Sequence, residues 1–178
     1  DVETILADGF VIAAVLERAD PRDAWISTSG HSLDYMPTGA KVGTASLRRR
    51  AQVLARRPDL EVIPFRGNVG TRLRKLAEGH ADATLLAQAG LDRLGMNDTA
   101  TEILAPSIML PPAAQGAVGV ECRANDEVVL QALAPLNHAE TVLTTMAERA
   151  LLAALDGSCR TPIGAYATLD KTGGIHIE

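Results

Sequence analysis

From about residue 40 onward, apolar and polar positions switch repeatedly between a two-residue and a helical period. Lys41-Val42-Gly43-Thr44 reads as a strand end entering a turn. Ser46 is then placed to cap a helix whose Leu47, Ala51, Leu54 and Ala55 recur at helical spacing until Pro58-Asp59 ends it. Glu61–Phe65 is a short strand, Arg66–Gly70 a glycine turn, and a helix runs from Thr71 to about Glu78. Asp82–Ala87 is the next strand, followed by a short helix through Leu91 and Leu94. Strand-turn-helix repetition of this kind predicts an α/β architecture, with a parallel or mixed sheet covered by helices.

The second half of the chain follows a different rhythm. Ile108–Ala113, with Pro111-Pro112, is a connector, and Gly116–Cys122 reads as a buried strand, with Cys122 in the core. Helices are predicted at about Asp126–Leu133 and Ala139–Leu155, the second with Leu143, Met146, Ala150 and Ala154 on one apolar face. Gly157 closes that helix and Pro162 forbids its continuation. Ile163–Leu169 and Ile175–Ile177 form a hairpin around Asp170–Gly174 and open a new sheet. There is no internal repeat and no low-complexity tract.

Composition narrows the function classes. At 178 residues, with 47% hydrophobic and 22% charged residues, the chain is an ordinary globular protein of one domain or two small ones, not a disordered one. No apolar run approaches the roughly 20 residues of a membrane helix. Asp1-Val2-Glu3-Thr4 has neither the basic nor the apolar region of a signal peptide, so a cytoplasmic setting is expected. Two cysteines, Cys122 and Cys159, and four scattered histidines provide no disulfide framework and no metal-ligand spacing.

The net charge of −5 argues against a general nucleic-acid binder, but its distribution is uneven. Between Lys41 and Lys75 stand ten cations, eight of them arginine, against only Asp59 and Glu61. The guanidinium fork binds carboxylate or phosphate with two parallel hydrogen bonds, so this window is a candidate site for a small polyanion. A solvated helix face would show the same count. Only five aromatic residues occur in the chain, too few for a base-stacking platform.

Two turns bring helix N-termini beside these arginines: Gly43–Ser46, followed by Arg48 and Arg49, and Gly67–Thr71, flanked by Arg66 and Arg72. Free N–H groups and the helix dipole at such ends attract anions, although each turn alone is equally an ordinary capped one. Cys159 lies on a loop next to Arg160, where a thiol is either idle or activated by its neighbouring cation. No base is fixed beside it by sequence, which leaves protease-like catalysis unsupported.

The blocks themselves resemble a known family. Val42-Gly-Thr-Ala-Ser-Leu-Arg-Arg49 is similar to the VGTSSLRR signature of porphobilinogen deaminase, or hydroxymethylbilane synthase. Glu17–Asp23, Arg66–Leu73, Leu86–Gly95, Leu110–Glu121 and Gly157–Gly164 resemble further family blocks in the same order. The resemblance implies a transferase of tetrapyrrole and haem biosynthesis. Its members polymerise four porphobilinogen units with loss of ammonia on a covalent dipyrromethane cofactor, then release hydroxymethylbilane. It assigns the thioether to Cys159 and cofactor binding to Ser46, Arg48, Arg49, Arg66, Gly67 and Arg72. Substrate binding falls to Arg66, Arg72, Arg93 and Gln115, and the carboxylate that stabilises cationic intermediates to Asp1. Arg50, Arg56, Arg57 and Arg74 match no binding position and are expected at the surface. The competing reading from the residues alone is a non-catalytic α/β module that binds a polycarboxylate or phosphate.

The implied fold is a periplasmic-binding-protein-like two-domain cleft with its first domain incomplete, plus a partial small α+β C-terminal domain. On that reading residues 1–16 and 114–135 belong to the first domain, 17–113 to the arginine-rich second, and 136–178 to the third. Glu3 and Ala7 stand where family members have prolines, and Ala114 where they have the first glycine of a GQG turn. A segment ahead of Asp1 and a longer C-terminal domain are expected of the family. The chain is therefore read as a fragment of a monomeric enzyme, able to self-associate through uncovered apolar surface.

Overall fold

The computed structural model describes residues 3–155, 157 and 161–178. The chain divides into two units, Asp20–Pro111 and Asp1–Ala19 with Pro112–Glu178. In chain order the elements are β1 (Phe10–Val15), β2 (Asp23–Ser27), β3 (Lys41–Gly43), α1 (Leu47–Arg56), β4 (Glu61–Ile63), α2 (Val69–Ala77), β5 (Ala83–Ala87), α3 (Gln88–Arg93), β6 (Glu102–Leu104), β7 (Gly119–Arg123), α4 (Glu127–Leu133), α5 (Ala139–Ala154), β8 (Ala167–Leu169) and β9 (Ile175–Ile177).

The unit Asp20–Pro111 is built on a mixed five-stranded sheet of order β4-β3-β5-β2-β6. Strands β4, β3 and β5 run parallel, and β2 is antiparallel to both β5 and β6. Trp25, Val42, Val53, Ala83, Leu85 and Leu104 pack in a core on one face, and Ala24, Ile26, Phe65, Leu76, Leu86 and Leu91 in a core on the other. Being covered on both sides, β2 reads Asp-Ala-Trp-Ile without the alternation of a half-buried strand. Gly43 is fixed by crowding, because a Cβ there would stand 2.5 Å from the Phe65 ring. Helix α2 begins two residues earlier than its pattern predicts, since the Asn68 side chain accepts from Thr71 N and takes over the capping.

Arg57 is not a loose surface residue. Its guanidinium pairs with Asp59 and donates to the carbonyls of Leu33, Asp34 and Met36, at 2.7–3.0 Å, strapping that segment to the end of α1. Arg56 ion-pairs in the open with Asp34, while Arg50 and Arg74 are exposed.

In the other unit β1 and β7 form an antiparallel pair, and β8 and β9 a hairpin. The β1–β7 register slips between Ile12 and Ala14. The slip turns backbone groups outward, and Asn137 satisfies them: its Oδ1 accepts from Val15 N at 2.8 Å and its Nδ2 donates to Ala13 O at 3.2 Å. Contrary to the sequence expectation, β7 is not buried. Its residues alternate between exposed and half-buried positions, and Cys122 is half-buried, with its thiol turned to Arg123 O, because the strand pairs in a two-stranded ribbon instead of a covered sheet. The strand predicted over 163–169 shortens to Ala167–Leu169.

Helix α5 also reverses its expected faces. Leu143 is 49% and Met146 64% exposed, whereas Thr141, Thr144, Thr145 and Glu148 are buried. The inward face is polar because Glu148 is a hub. Its carboxylate accepts from Arg18 Nη1 and Nη2, Ala114 N and Ala167 N, at 2.6–3.0 Å. Arg18 also donates to Gln115 O at 2.9 Å and lies over the Tyr166 ring. Together these contacts tie α5 to the 114–116 turn and to β8. That turn holds Ala114 at φ 60°, a left-handed conformation that favours glycine. Ala114→Gly is accordingly expected to stabilise the chain by about 0.5–1 kcal/mol, read as a raised midpoint in denaturant unfolding.

Candidate functional site

Because β4, β3 and β5 are parallel, their carboxyl ends share one edge of the sheet, and α1, α2 and α3 all start from that edge. Ligands of open α/β sheets bind outside such carboxyl ends. Ser46 caps α1 by accepting from Arg49 N at 3.3 Å, and Asn68 caps α2 by accepting from Thr71 N at 2.9 Å. One N–H group at each helix start is therefore already satisfied. Gly67 enters α2 at φ 134°, packed so closely on Thr71 that a Cβ would lie 2.7 Å from its methyl group.

The cations that follow are organised by a single buried carboxylate. Asp23, at the start of β2, accepts from Arg48 Nη2 on one oxygen and from Arg49 Nη2 on the other, both at 2.7 Å. Arg48 also donates to Leu110 O at 2.6 Å, and Arg49 to Leu85 O at 3.1 Å. Burial by itself would push the Asp23 carboxyl up, but the Arg49 and Arg48 guanidiniums outweigh it and hold the group below its ordinary value. Two guanidiniums and one carboxylate leave this buried cluster with an excess of positive charge.

Arg72 adds to that excess. It is half-buried on the first turns of α2, and burial, then the nearby Arg49 charge, push its guanidinium below the ordinary arginine value. Among the described residues, Arg72 Nε and Arg49 Nε are both buried donors without a hydrogen-bond partner. Unmet buried donors beside uncompensated positive charge are costly, and an anion removes both costs together.

The structure thus brings Arg48, Arg49 and Arg72 together. Arg66 is exposed in the β4–α2 loop, and its carbonyl accepts from Lys75 Nζ at 3.1 Å. Arg93 is the exposed last residue of α3. Gln115 belongs to the other unit, where its carbonyl receives Arg18. Asp1 and Cys159 lie outside the described residues. Among the described residues no group of three or more His, Cys, Asp or Glu side chains could hold a metal ion, and no helix is long and apolar enough to cross a membrane.

The dipyromethane cofactor binding domain of porphobilinogen deaminase matches residues 1–131, and the C-terminal domain of the same enzyme matches 142–178. The chain belongs to the porphobilinogen deaminase family. A chloroplastic porphobilinogen deaminase of Oryza sativa subsp. japonica is 52% identical over 173 residues, covering 97% of this chain and 48% of that protein. The porphobilinogen deaminase of Halalkalibacterium halodurans is 50% identical over 178 residues, covering 99% and 57%. The chain spans about half the length of the curated relatives it matches. Among solved structures, a lipoprotein of the YaeC family from Enterococcus faecalis aligns with 75% of this chain and 64% of that one at a TM-score of 0.44 and 15% identity, too distant a likeness to bear on the site.

Two residues at this edge of the sheet escape a motif reading. Asp23 is visible only as the last letter of a matching block, yet a carboxylate opening an apolar strand already demands a cation, and the Arg48-Arg49 pair of α1 supplies it. Gln88 carries no motif signal at all.

Replacing Asp23 by Asn leaves two buried guanidiniums without their anion and is expected to cost about 3–5 kcal/mol in urea unfolding. A lowered folded-state value means that the contribution of Asp23 is fully present above the ordinary aspartate value of about 3.9 and is lost as pH falls through the folded value. The stability gap between the parent chain and Asp23→Asn should therefore hold at pH 6 and narrow progressively below about pH 4. A gap independent of pH would show that the carboxylate charge is not what holds the arginines.

Proposed function

We propose that this chain supplies the arginine-lined part of a hydroxymethylbilane synthase, which joins four porphobilinogen units head to tail with loss of ammonia. The observation that carries this is the pair of unmet buried donors, Arg49 Nε and Arg72 Nε, beside an uncompensated buried positive charge. Every porphobilinogen brings an acetate and a propionate, so each added ring delivers two carboxylates to such a place. The dipyrromethane cofactor, itself two such rings, fits the same donor set. Ser46, Arg48, Arg49, Arg66, Gly67 and Arg72 would hold it, with Cys159 as its attachment point, and when bound it supplies the pyrrole carbon to which new units are added.

The residues have distinct parts in this reading. Arg48 is engaged by Asp23 and Leu110 O and acts mainly by keeping Arg49 in place. Arg72, whose guanidinium has neither hydrogen bond nor ion pair among the described residues, is the primary carboxylate ligand. Arg66, Arg93 and Gln115 extend substrate binding, and Asp1 provides the negative charge that stabilises cationic intermediates as they form. The finer fold belongs to the same proposal: a periplasmic-binding-protein-like arrangement whose first domain comprises 1–16 and 114–135, second 17–113 and third 136–178. So does a cytoplasmic setting, although the rice relative is chloroplastic by name.

Incubation with porphobilinogen and denatured intact-mass measurement tests the reading directly. The expected gain is two porphobilinogens less two ammonias, located on Cys159 by peptide mapping. A mass that never changes would sink the claim that this chain assembles the cofactor site. Arg72→Leu removes a half-buried, uncompensated cation, so it should leave unfolding stability equal or higher while abolishing that mass gain. Loss of stability together with unchanged loading would reverse the assignment of Arg72.

A further inference from the structure

Gln88 is the first residue of α3, at the carboxyl end of β5. Its backbone N–H donates to Arg22 O at 3.0 Å, and the preceding Ala87 stands opposite Asp23 in the β2–β5 ladder. The glutamine therefore directly follows the ladder partner of Asp23, whose carboxylate Arg48 and Arg49 share. Its side chain is almost completely enclosed, the residue being 4% exposed.

Inside that enclosure the amide has one partner. Nε2 donates to Asp92 Oδ1 at 2.6 Å, one turn further along α3. A carboxylate offers acceptors only, so this contact fixes which end of the amide is which: the nitrogen faces Asp92 and the oxygen faces away. Gln88 Oε1 is then a buried acceptor with no hydrogen-bond partner among the described residues. An apolar residue would fill this position without that cost. The same edge of the sheet thus carries unmet donors, on Arg49 and Arg72, and one unmet acceptor. A plain anion satisfies the donors and leaves the acceptor unmet.

We propose that Gln88 Oε1 accepts a hydrogen bond from the ring N–H of a pyrrole whose carboxylates are held by Arg49 and Arg72, so that Gln88 selects for the nitrogen heterocycle. This rests on the reading of the ligand as a pyrrole given above and adds the residue that recognises the ring itself. The matched pair is chemically economical: one ligand carries both acceptors for the arginines and a donor for the glutamine.

Two probes separate the ring from its side chains: a pyrrole bearing one acetate and one propionate but no aminomethyl group, and the furan with the same substituents. Titration calorimetry on this chain should show the pyrrole binding about tenfold or more tightly than the furan. In Gln88→Leu, and in Gln88→Met as a second variant of unbranched shape, the two probes should bind equally, near the affinity of the furan for the parent chain. Thermal unfolding of the variants should be unchanged or raised, since an unmet acceptor is removed. A parent chain that does not distinguish the probes would mean that a water satisfies Oε1, and the proposal falls. Discrimination that survives in the variants overturns it equally. If neither probe binds the parent chain, the polypyrrole reading fails, and the role of Gln88 fails with it.

Discussion

One carboxylate shared by two buried arginines sets the terms for the arginine-rich unit. Asp23 begins the interior strand β2, and its two oxygens take one guanidinium each from consecutive residues of α1. Consecutive residues on a helix point about 100° apart, so both can reach one acid only if the helix start is held close over the strand end. Leu85 O and Leu110 O receive the other arms of the same guanidiniums, and this locks α1, β2, β5 and the chain around residue 110 into one frame. Charge balance goes the other way. The frame holds one more cation than anion, and Arg72 raises the excess. What makes the unit rigid is also what leaves it short of negative charge.

The other unit solves a similar problem with the opposite sign of economy. Glu148 is fully buried and meets four donors, two from one arginine and two from backbone N–H groups, so nothing on it is left for a ligand. Its two oxygens satisfy the orphaned backbone of a tight turn at Ala114 and the start of β8. Here a buried ion pair acts as a fastener for segments distant in sequence, at residues 18, 114, 148 and 167. Such pairs define which segments meet; their net contribution to stability is small compared with the cost of breaking them.

These two clusters also explain where sequence reading succeeded and where it did not. The alternation of short strands, turns and helices through residues 41–94 was legible from local caps, turns and periodicity, although α1 turns Leu47, Ala51 and Ala55 outward and buries Arg48, Arg49 and Val53. Ser46 was legible as a cap for the same local reason. Helix α5 was not, because periodicity reports which side is apolar and not which side is covered. Its Leu143–Met146–Ala150 face lies outward and its threonines and Glu148 inward, a choice made by partners more than a hundred residues away. Cys122 failed likewise: an apolar run predicts a buried strand only when a second layer is present to cover it. At the site, arginine density was visible, but Asp23 and Gln88 depend on strand pairing that brings residues 23 and 87 opposite each other.

The hydrogen-bond inventory of each arginine decides how the site must meet an anion. Arg49 spends one N–H of each terminal nitrogen on Asp23 and Leu85 O, and its buried Nε–H is unmet among the described residues. Arg48 has one terminal nitrogen on Leu110 O and the other on Asp23. Arg72, set a helix away on α2, is half-buried and has no hydrogen-bond partner for its guanidinium among the described residues. On the proposed reading a carboxylate would take the guanidinium of Arg72 as a fork and the unmet Nε–H of Arg49 beside it. A rigid phosphate trap would use several free forks and uncapped helix starts, whereas both helix starts here already have their caps. With both helix starts capped, the unmet guanidinium donors, more than bare helix ends, are what this edge of the sheet offers an anion.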